Sequence, residues 1–265
     1  MFFIHTVPYY LAYILYIYVV YLQVKVMGVP EGEATFYRRE KFTLVQETSF
    51  SCNELLEMVV NSTDIENKQE ILEKAAISQI FLVVKLQHLQ TNKVVTIGNI
   101  HTVWNYFNLL NLSTLHVAMA MEKLLELSQG GAHIIVGDFN STPSMGPYKL
   151  MKNGKLTSDE LNELINMPSI QMEGRNFSDM FRHCYRHGSD SLRSGYHSNP
   201  IYTCIDNESS EKQCLDYIWY SSDHLTVIDS LETADVAADV DGEIRIPNIV
   251  FPSDHLSLKA TFSFH

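Results

Sequence analysis

The sequence predicts an α/β fold of packed layers with its chemistry along one sheet edge, on three observations. β-branched and aromatic runs alternate with amphipathic helical patterns. Acidic, amide or histidine residues stand where apolar strands stop, and 46% apolar residues in a chain of 265 can supply a large core. The formal charge of −12, from 19 Lys plus Arg against 31 Asp plus Glu, argues against capture of nucleic acid by a broad basic surface. Any phosphate chemistry must therefore draw positive charge from elsewhere.

The first element is the least ordinary. Residues 2–24, FFIHTVPYYLAYILYIYVVYLQV, carry no Asp, Glu, Lys or Arg. At about 1.5 Å per residue they are long enough to cross a bilayer as a helix. Three readings compete. Six tyrosines and Pro8 weaken a membrane anchor, although Lys25, Arg38, Arg39 and Lys41 would then hold the domain in the cytosol. A signal peptide would need a basic n-region and a small-residue cleavage site, and neither is present. The favoured reading takes 1–25 as an apolar segment that is not the native beginning of the domain, which occupies 26–265.

Within that domain, ATFYRREKFTLVQ (34–46), ISQIFLVVKLQHLQ (77–90) and KVVTIGNIH (93–101) have strand composition. DIENKQEILEKAA (64–76) reads as a helix capped by Asp64. STLHVAMAMEKLLELSQGG (113–131) reads as a longer one, with Leu115, Met119 and Leu125 on its apolar face and Gly130-Gly131 at its end. Strand 133–138 follows, then a Ser-Thr-Pro loop and helical patterns at 157–166 and 177–187. CLDYIWY (214–220), LTVID (225–229) and LSLKATFSF (256–264) complete the strands.

Cys52, Cys184, Cys204 and Cys214 show no metal-ligand spacing and read as reduced thiols. Sequons at Asn61, Asn111, Asn140, Asn176 and Asn207 add an argument against secretion, because a sugar on Asn140 would cover the strand end 137–140. His5, His116 and His183 lack motif context and read as structural.

Four strand ends share one grammar: GNIH (98–101), GDFN (137–140), LDYI (215–218) and PSDH (252–255). One such Asp alone is an ordinary loop cap, and His101 or His255 alone reads equally well as a packed core or loop histidine. Four in this order suit phosphodiester hydrolysis. A hard cation such as Mg²⁺ takes one or two carboxylates and keeps waters and phosphate oxygens around it. Asp138, Asn140 and Asp254 can offer such oxygens, while His255, oriented by Asp216, can carry a proton or stabilise phosphoryl charge.

These motifs resemble the endonuclease/exonuclease/phosphatase superfamily over residues 27–264. The matching positions are Asn99 and His101, Asp138 and Asn140, Asp216, and Asp254 with His255. EGEATFYRREKFTLVQ, GDFNSTPSMGPY, CLDYIWY and FPSDHLSL narrow the resemblance to its deadenylase-like branch, and within it to the 2′,5′-phosphodiesterases. The resemblance implies a DNase I-like four-layer sandwich, two mixed β-sheets flanked by helices, incomplete at its N-terminal side. It implies that Asp138 activates water, Asn140 positions it or the phosphate, His101 contacts the phosphate, and Asp216 orients a transition-state-stabilising His255. Asn99, Trp104 and Tyr202 would contact substrate. It further implies dependence on Mg²⁺, with Mn²⁺ as the alternative ion, and AMP release from 2′,5′-oligoadenylate or 3′ poly(A) RNA rather than action on DNA. Residence would be mitochondrial by the same resemblance, or cytoplasmic.

The sequence departs from that pattern at four places. The family's metal-binding glutamate, in an upstream Leu-Gln-Glu-Val motif, has no counterpart, since no Asp or Glu precedes Glu31. Trp104-Asn105-Tyr106 lacks a proline of the adenine pocket, Tyr202-Thr203-Cys204 replaces Tyr-Thr-Asn, and Glu211 stands where a base-stacking aromatic is expected. Stacking of that kind is worth about 1–3 kcal/mol. Three function classes stay open: the metal-dependent phosphodiesterase, a membrane-associated phosphoesterase leaning on residues 2–24, and a binding domain without catalysis.

Overall fold

The computed structural model describes residues 4–6, 18–24, 32–62, 68–104, 106–165, 192–196, 202–205, 211–231, 246–247 and 253–265. Expected features at Asp64, Cys184 and helix 177–187 lie outside these residues.

A six-stranded mixed sheet is the frame. Strands β4 (Phe42–Ser51), β5 (Ile80–His88), β6 (Val94–His101), β7 (Ala132–Asp138), β11 (Asp216–Ser221) and β8 (Leu192–Ser194) lie side by side in that order. β6 and β7 are parallel and the other neighbours antiparallel. The parallel pair requires a crossover, and helix α3 (Tyr106–Ser128) supplies it before Gln129 and Gly130 turn the chain at positive φ. α3 begins seven residues before the predicted 113.

Period-two alternation divides the sheet into two faces. Phe81, Val83, Ile100, Ile135, Tyr217 and Trp219 pack toward helices α1 (Cys52–Asn61), α3 and α4 (Gly146–Asn153) in the larger core. Residues of α2 (Lys68–Lys74) and α5 (Ser158–Ile165) join the same layer. Val84, Leu86, Val95, Ile97, Ile134, Val136 and Ile218 occupy the opposite face. There they meet Tyr37 of β3 (Gly32–Arg38), Leu225 of β12 (Leu225–Ser230), and Phe262 and Phe264 of β13 (Ala260–Phe264). Helices, mixed sheet and second β layer thus account for three of the four expected layers among the described residues.

Of the apolar segment 2–24, the described residues are strands and not a helix. Strands β1 (Ile4–Thr6) and β2 (Tyr18–Val24) flank β3 in antiparallel pairing, with Gln23 opposite Glu33. The Tyr- and Val-rich composition suits a pleated sheet, where the backbone is satisfied by neighbours and needs no helix. No helix among the described residues is long and apolar enough to cross a membrane.

Three further expectations shift. The run 34–46 is two strands, broken by a turn in which the Lys41 N–H bonds the Arg38 carbonyl. Helix α1 was not expected, yet its signature is local: Ser51 and Glu54 exchange side-chain and backbone bonds in a capping box. Helix α4 likewise starts at Gly146-Pro147, inside what reads as a loop, and ends at left-handed Gly154.

Candidate active site

Parity along each strand selects the side chains that reach the site. Asn99 and His101 continue the row of Val95 and Ile97 on β6. Asp138 continues Ile134 and Val136 on β7, and Asp216 continues Ile218 and Tyr220 on β11. The polar residues therefore cap one end of the apolar face that meets the second β layer. Register then aligns them, because His101 is the partner of Asp138, and Asp138 is the partner of Asp216.

Local geometry holds the GDFN turn in place. Gly137 has φ of 142°, and a Cβ there would stand 1.8 Å from the Ile100 carbonyl oxygen, so only glycine fits this close approach of β7 to β6. Past the strand, the Asn140 N–H donates to Asp138 Oδ1 at 2.8 Å, an Asx turn that lets Asn140 adopt φ of 43°. Asn140 Nδ2 donates to the Thr102 carbonyl at 3.0 Å. Thr203 Oγ1 accepts from the N–H groups of Leu215 and Asp216 at 2.9 and 3.0 Å, setting the start of β11. The Ile205 N–H to Asp254 carbonyl and Leu256 N–H to Thr203 carbonyl bonds clamp the 254–256 segment beside it.

That clamp brings His255 Nδ1 within 2.8 Å of Asp216 Oδ2. His255 Nε2 lies 3.9 Å and His101 Nε2 3.5 Å from the same oxygen, Asp138 Oδ2. Burial opposes charge on the His255 ring. Hydrogen bonds to Asp216 and Cys204, with the negative charges of Asp216 and Asp138, outweigh it and push the pKa up to about 12. For Asp138, burial and the neighbouring Asp216 raise the pKa, against lowering by His101, His255 and the Asn140 N–H.

These residues open onto a cavity of about 430 Å³. Glu33, Asn99, His101, Asp138, Asp216, Asp254, His255 and Lys259 belong to its polar lining, and Ile97, Ile134, Val136, Ile218 and Phe262 to its apolar lining. Ligand atoms of Asp138, Asp216 and His255 lie within 4.8 Å of one another, and of these the carboxylate oxygens are the kind that suits Mg²⁺ or Mn²⁺. Asp254 lines the cavity but stands outside that close group. Cys52, Cys204 and Cys214 are buried thiols outside any disulfide among the described residues, and burial pushes Cys214 up to about 11.

The other expected contacts are spread out. Trp104 is 74% exposed, and neither it nor Tyr202 is a lining residue of the cavity. Tyr202, 3% exposed, packs with Ile246 and Leu256 beneath the Lys212 ammonium, 4.6 Å from its ring centroid. Asn99 is buried, and its Nδ2 donates to the Ala34 carbonyl at 3.1 Å, a bond that ties β6 to β3. Glu33 and Lys259 were missed as lining residues. For Glu33 a signal existed: it alternates with Thr35 and Tyr37 along β3, on the inward row.

A family model described as Endonuclease/Exonuclease/phosphatase family matches residues 81–255. The CCR4-Not complex 3′-5′-exoribonuclease subunit Ccr4 of Debaryomyces hansenii is 28% identical over 254 residues, covering 88% of this chain and 28% of that protein. The 2′,5′-phosphodiesterase 12 of Homo sapiens is 25% identical over 244 residues, covering 86% of this chain and 37% of that protein. The chain thus spans well under half the length of these curated relatives. Among solved structures, ANGEL2, a 2′,3′-cyclic phosphatase, superposes with a TM-score of 0.68 at 21% identity, over 92% of this chain and 74% of that one. The human Nocturnin catalytic domain does so with a TM-score of 0.56 at 20% identity, over 94% and 73%. At those identities the likeness establishes the fold.

Proposed function

The chain belongs to the endonuclease/exonuclease/phosphatase family, and we propose that it is a metal-dependent phosphodiester hydrolase that releases AMP from 2′,5′-oligoadenylate or from 3′ poly(A) RNA. One observation carries the reading: His101, Asp138 and Asp216 stand in register across three strands, with His255 bonded to Asp216 at 2.8 Å. Relatives described as a 3′-5′-exoribonuclease and a 2′,5′-phosphodiesterase support the substrate class.

Asp138, Asn140 and Asp254 are the oxygen donors proposed to hold Mg²⁺ or Mn²⁺; Asp138 belongs to the close carboxylate–histidine group, and Asp254 lines the same cavity. When bound, the cation would neutralise phosphoryl charge and lower the pKa of a water. The chain's own groups then divide the work. Asp138, whose raised pKa makes it a better base than an ordinary carboxylate, takes a proton from the attacking water. His255, held as imidazolium by Asp216, donates Nε2–H toward a phosphoryl oxygen, and His101 contacts the scissile phosphate from the other side of Asp138.

The test is AMP release from 2′,5′- and 3′,5′-linked oligoadenylates, with Mg²⁺ and with EDTA. Release that needs metal and disappears in Asp138→Ala and His255→Ala supports the reading. Release unchanged in both variants would overturn it.

A further inference from the structure

Thr102 follows His101 at the end of β6, is fully buried, and is bonded on both sides of its backbone. Its N–H donates to the Asp138 carbonyl at 3.0 Å, and its carbonyl accepts from Asn140 Nδ2 at 3.0 Å. The same carbonyl accepts a second bond, from Gln79 Nε2 at 3.1 Å. A carbonyl oxygen has two lone pairs, so these two amides fill its capacity. Gln79 is buried immediately before β5 and is not a lining residue of the cavity. Both ends of its amide are engaged. The Thr102 carbonyl can only accept, which assigns Nε2 to it, and the Ser78 hydroxyl donates to Oε1 at 3.4 Å. The Gln79 carbonyl in turn accepts from the N–H of Cys52, the first residue of α1, at 2.8 Å.

Hydrogen bonds therefore run from α1 through Gln79 and Thr102 to the GDFN turn. They end on Asn140, whose φ of 43° is a conformation that persists only where the surroundings fix it. With Nδ2 committed to Thr102, Oδ1 is the end of the Asn140 amide left to serve as the oxygen donor. A Thr102 carbonyl without its second donor is free to tilt, and the Asn140 amide follows it. We infer that Gln79 is a positioning residue of the reaction: by sharing the Thr102 carbonyl with Asn140, it fixes the orientation of the Asn140 amide without touching substrate or cation. The inference rests on the reading of Asn140 as a member of the phosphodiesterase site.

The experiment compares the full chain in wild type, Gln79→Met and Asn53→Ala. Gln79→Met keeps the length of the side chain and loses the donor. Asn53 Oδ1 accepts from the Ile77 N–H at 2.8 Å, so Asn53→Ala breaks a tie of α1 that does not reach Thr102. Oligoadenylate hydrolysis with Mg²⁺ is followed well below the Tm of each protein. Gln79→Met should lower kcat at least about tenfold with KM within about twofold of wild type, while Asn53→Ala keeps the wild-type kcat. Unchanged kcat in Gln79→Met, or an equal loss in Asn53→Ala, overturns the inference. Gln79→Asn, whose amide falls a methylene short, takes the place of Gln79→Met if that variant does not fold. A second readout needs no turnover: the side-chain amide protons of Asn140, assigned by their disappearance in Asn140→Asp, should exchange with water about tenfold faster in Gln79→Met. Unchanged exchange overturns the inference. Faster exchange in a protein whose wild type releases no AMP overturns the phosphodiesterase reading and leaves the hold of Gln79 on Asn140 standing.

Discussion

Asp216 and His255, separated by 39 positions in sequence, meet at 2.8 Å through Oδ2 and Nδ1. The bond orients the ring so that Nε2 faces Asp138, and it stabilises the imidazolium against the penalty of burial. A His pKa raised above its ordinary 6.5 contributes stability that is full below pH 6.5 and is lost only as pH rises through about 12. Between pH 6 and 9 the wild-type ring therefore keeps its proton. Asp216→Asn keeps the shape, removes the charge and should return titration of His255 toward neutral pH, visible in imidazole NMR, with activity down about 100-fold. A ring that stays protonated to pH 9 in the variant would refute this account.

Gly137 and Gly130 both have positive φ, and they should respond differently to alanine. At Gly137 the new Cβ collides with the Ile100 backbone, whereas at Gly130 nothing lies within 4 Å. Gly137→Ala should cost about 3 kcal/mol or more and disturb the Asp138 turn. Gly130→Ala should cost about 1 kcal/mol. Urea midpoints of the two variants give the comparison.

His116, 1% exposed on α3, has no hydrogen-bond partner among the described residues at either ring nitrogen, and burial lowers its pKa from 6.5 to about 3. The unfolded chain binds a proton that the folded one refuses. Its neutral form is fully compatible with folding above pH 6.5, and stability falls as pH drops from there toward 3, by up to about 1.4 kcal/mol per unit. Replacing the ring with an apolar side chain in His116→Leu should flatten this dependence, measured as the difference in urea stability between pH 7 and pH 5. An equal slope in both proteins would show that other groups govern it.

Asn99→Ala removes the donor to the Ala34 carbonyl and leaves that acceptor inside the protein. A loss of about 1–3 kcal/mol is expected, with faster amide exchange concentrated in β3. Loss spread evenly over the fold would argue that Asn99 does not act as the tie between the layers.

Strand ends are legible because they are local. An apolar run with period two reveals where it stops and which side chain stops it, as for His101 on β6 and Asp138 on β7, whereas Asp216 opens β11 and His255 lies outside the strands. Exposure was not legible in the same way: that Tyr202 packs with Ile246 and Leu256 depends on segments distant in sequence. Ser51 and Glu54 spell the cap of helix α1, but β4 runs directly into it with no intervening turn residues to mark the boundary. Residues 18–24 illustrate the opposite limit, since an uncharged run of Val and Tyr suits lipid or sheet until its partner is known.

By itself, then, the sequence determined the alternation of strands and helices, the parity that sends Asn99, His101, Asp138 and Asp216 to one face, and the family to which the chain belongs. Tertiary structure decided the register of β6, β7 and β11, the meeting of Asp216 with His255, and the placing of Glu33 in the cavity wall. The division follows from range: side-chain parity depends on adjacent residues, whereas register and inter-layer contact depend on hydrogen bonds and packing between segments far apart in the chain.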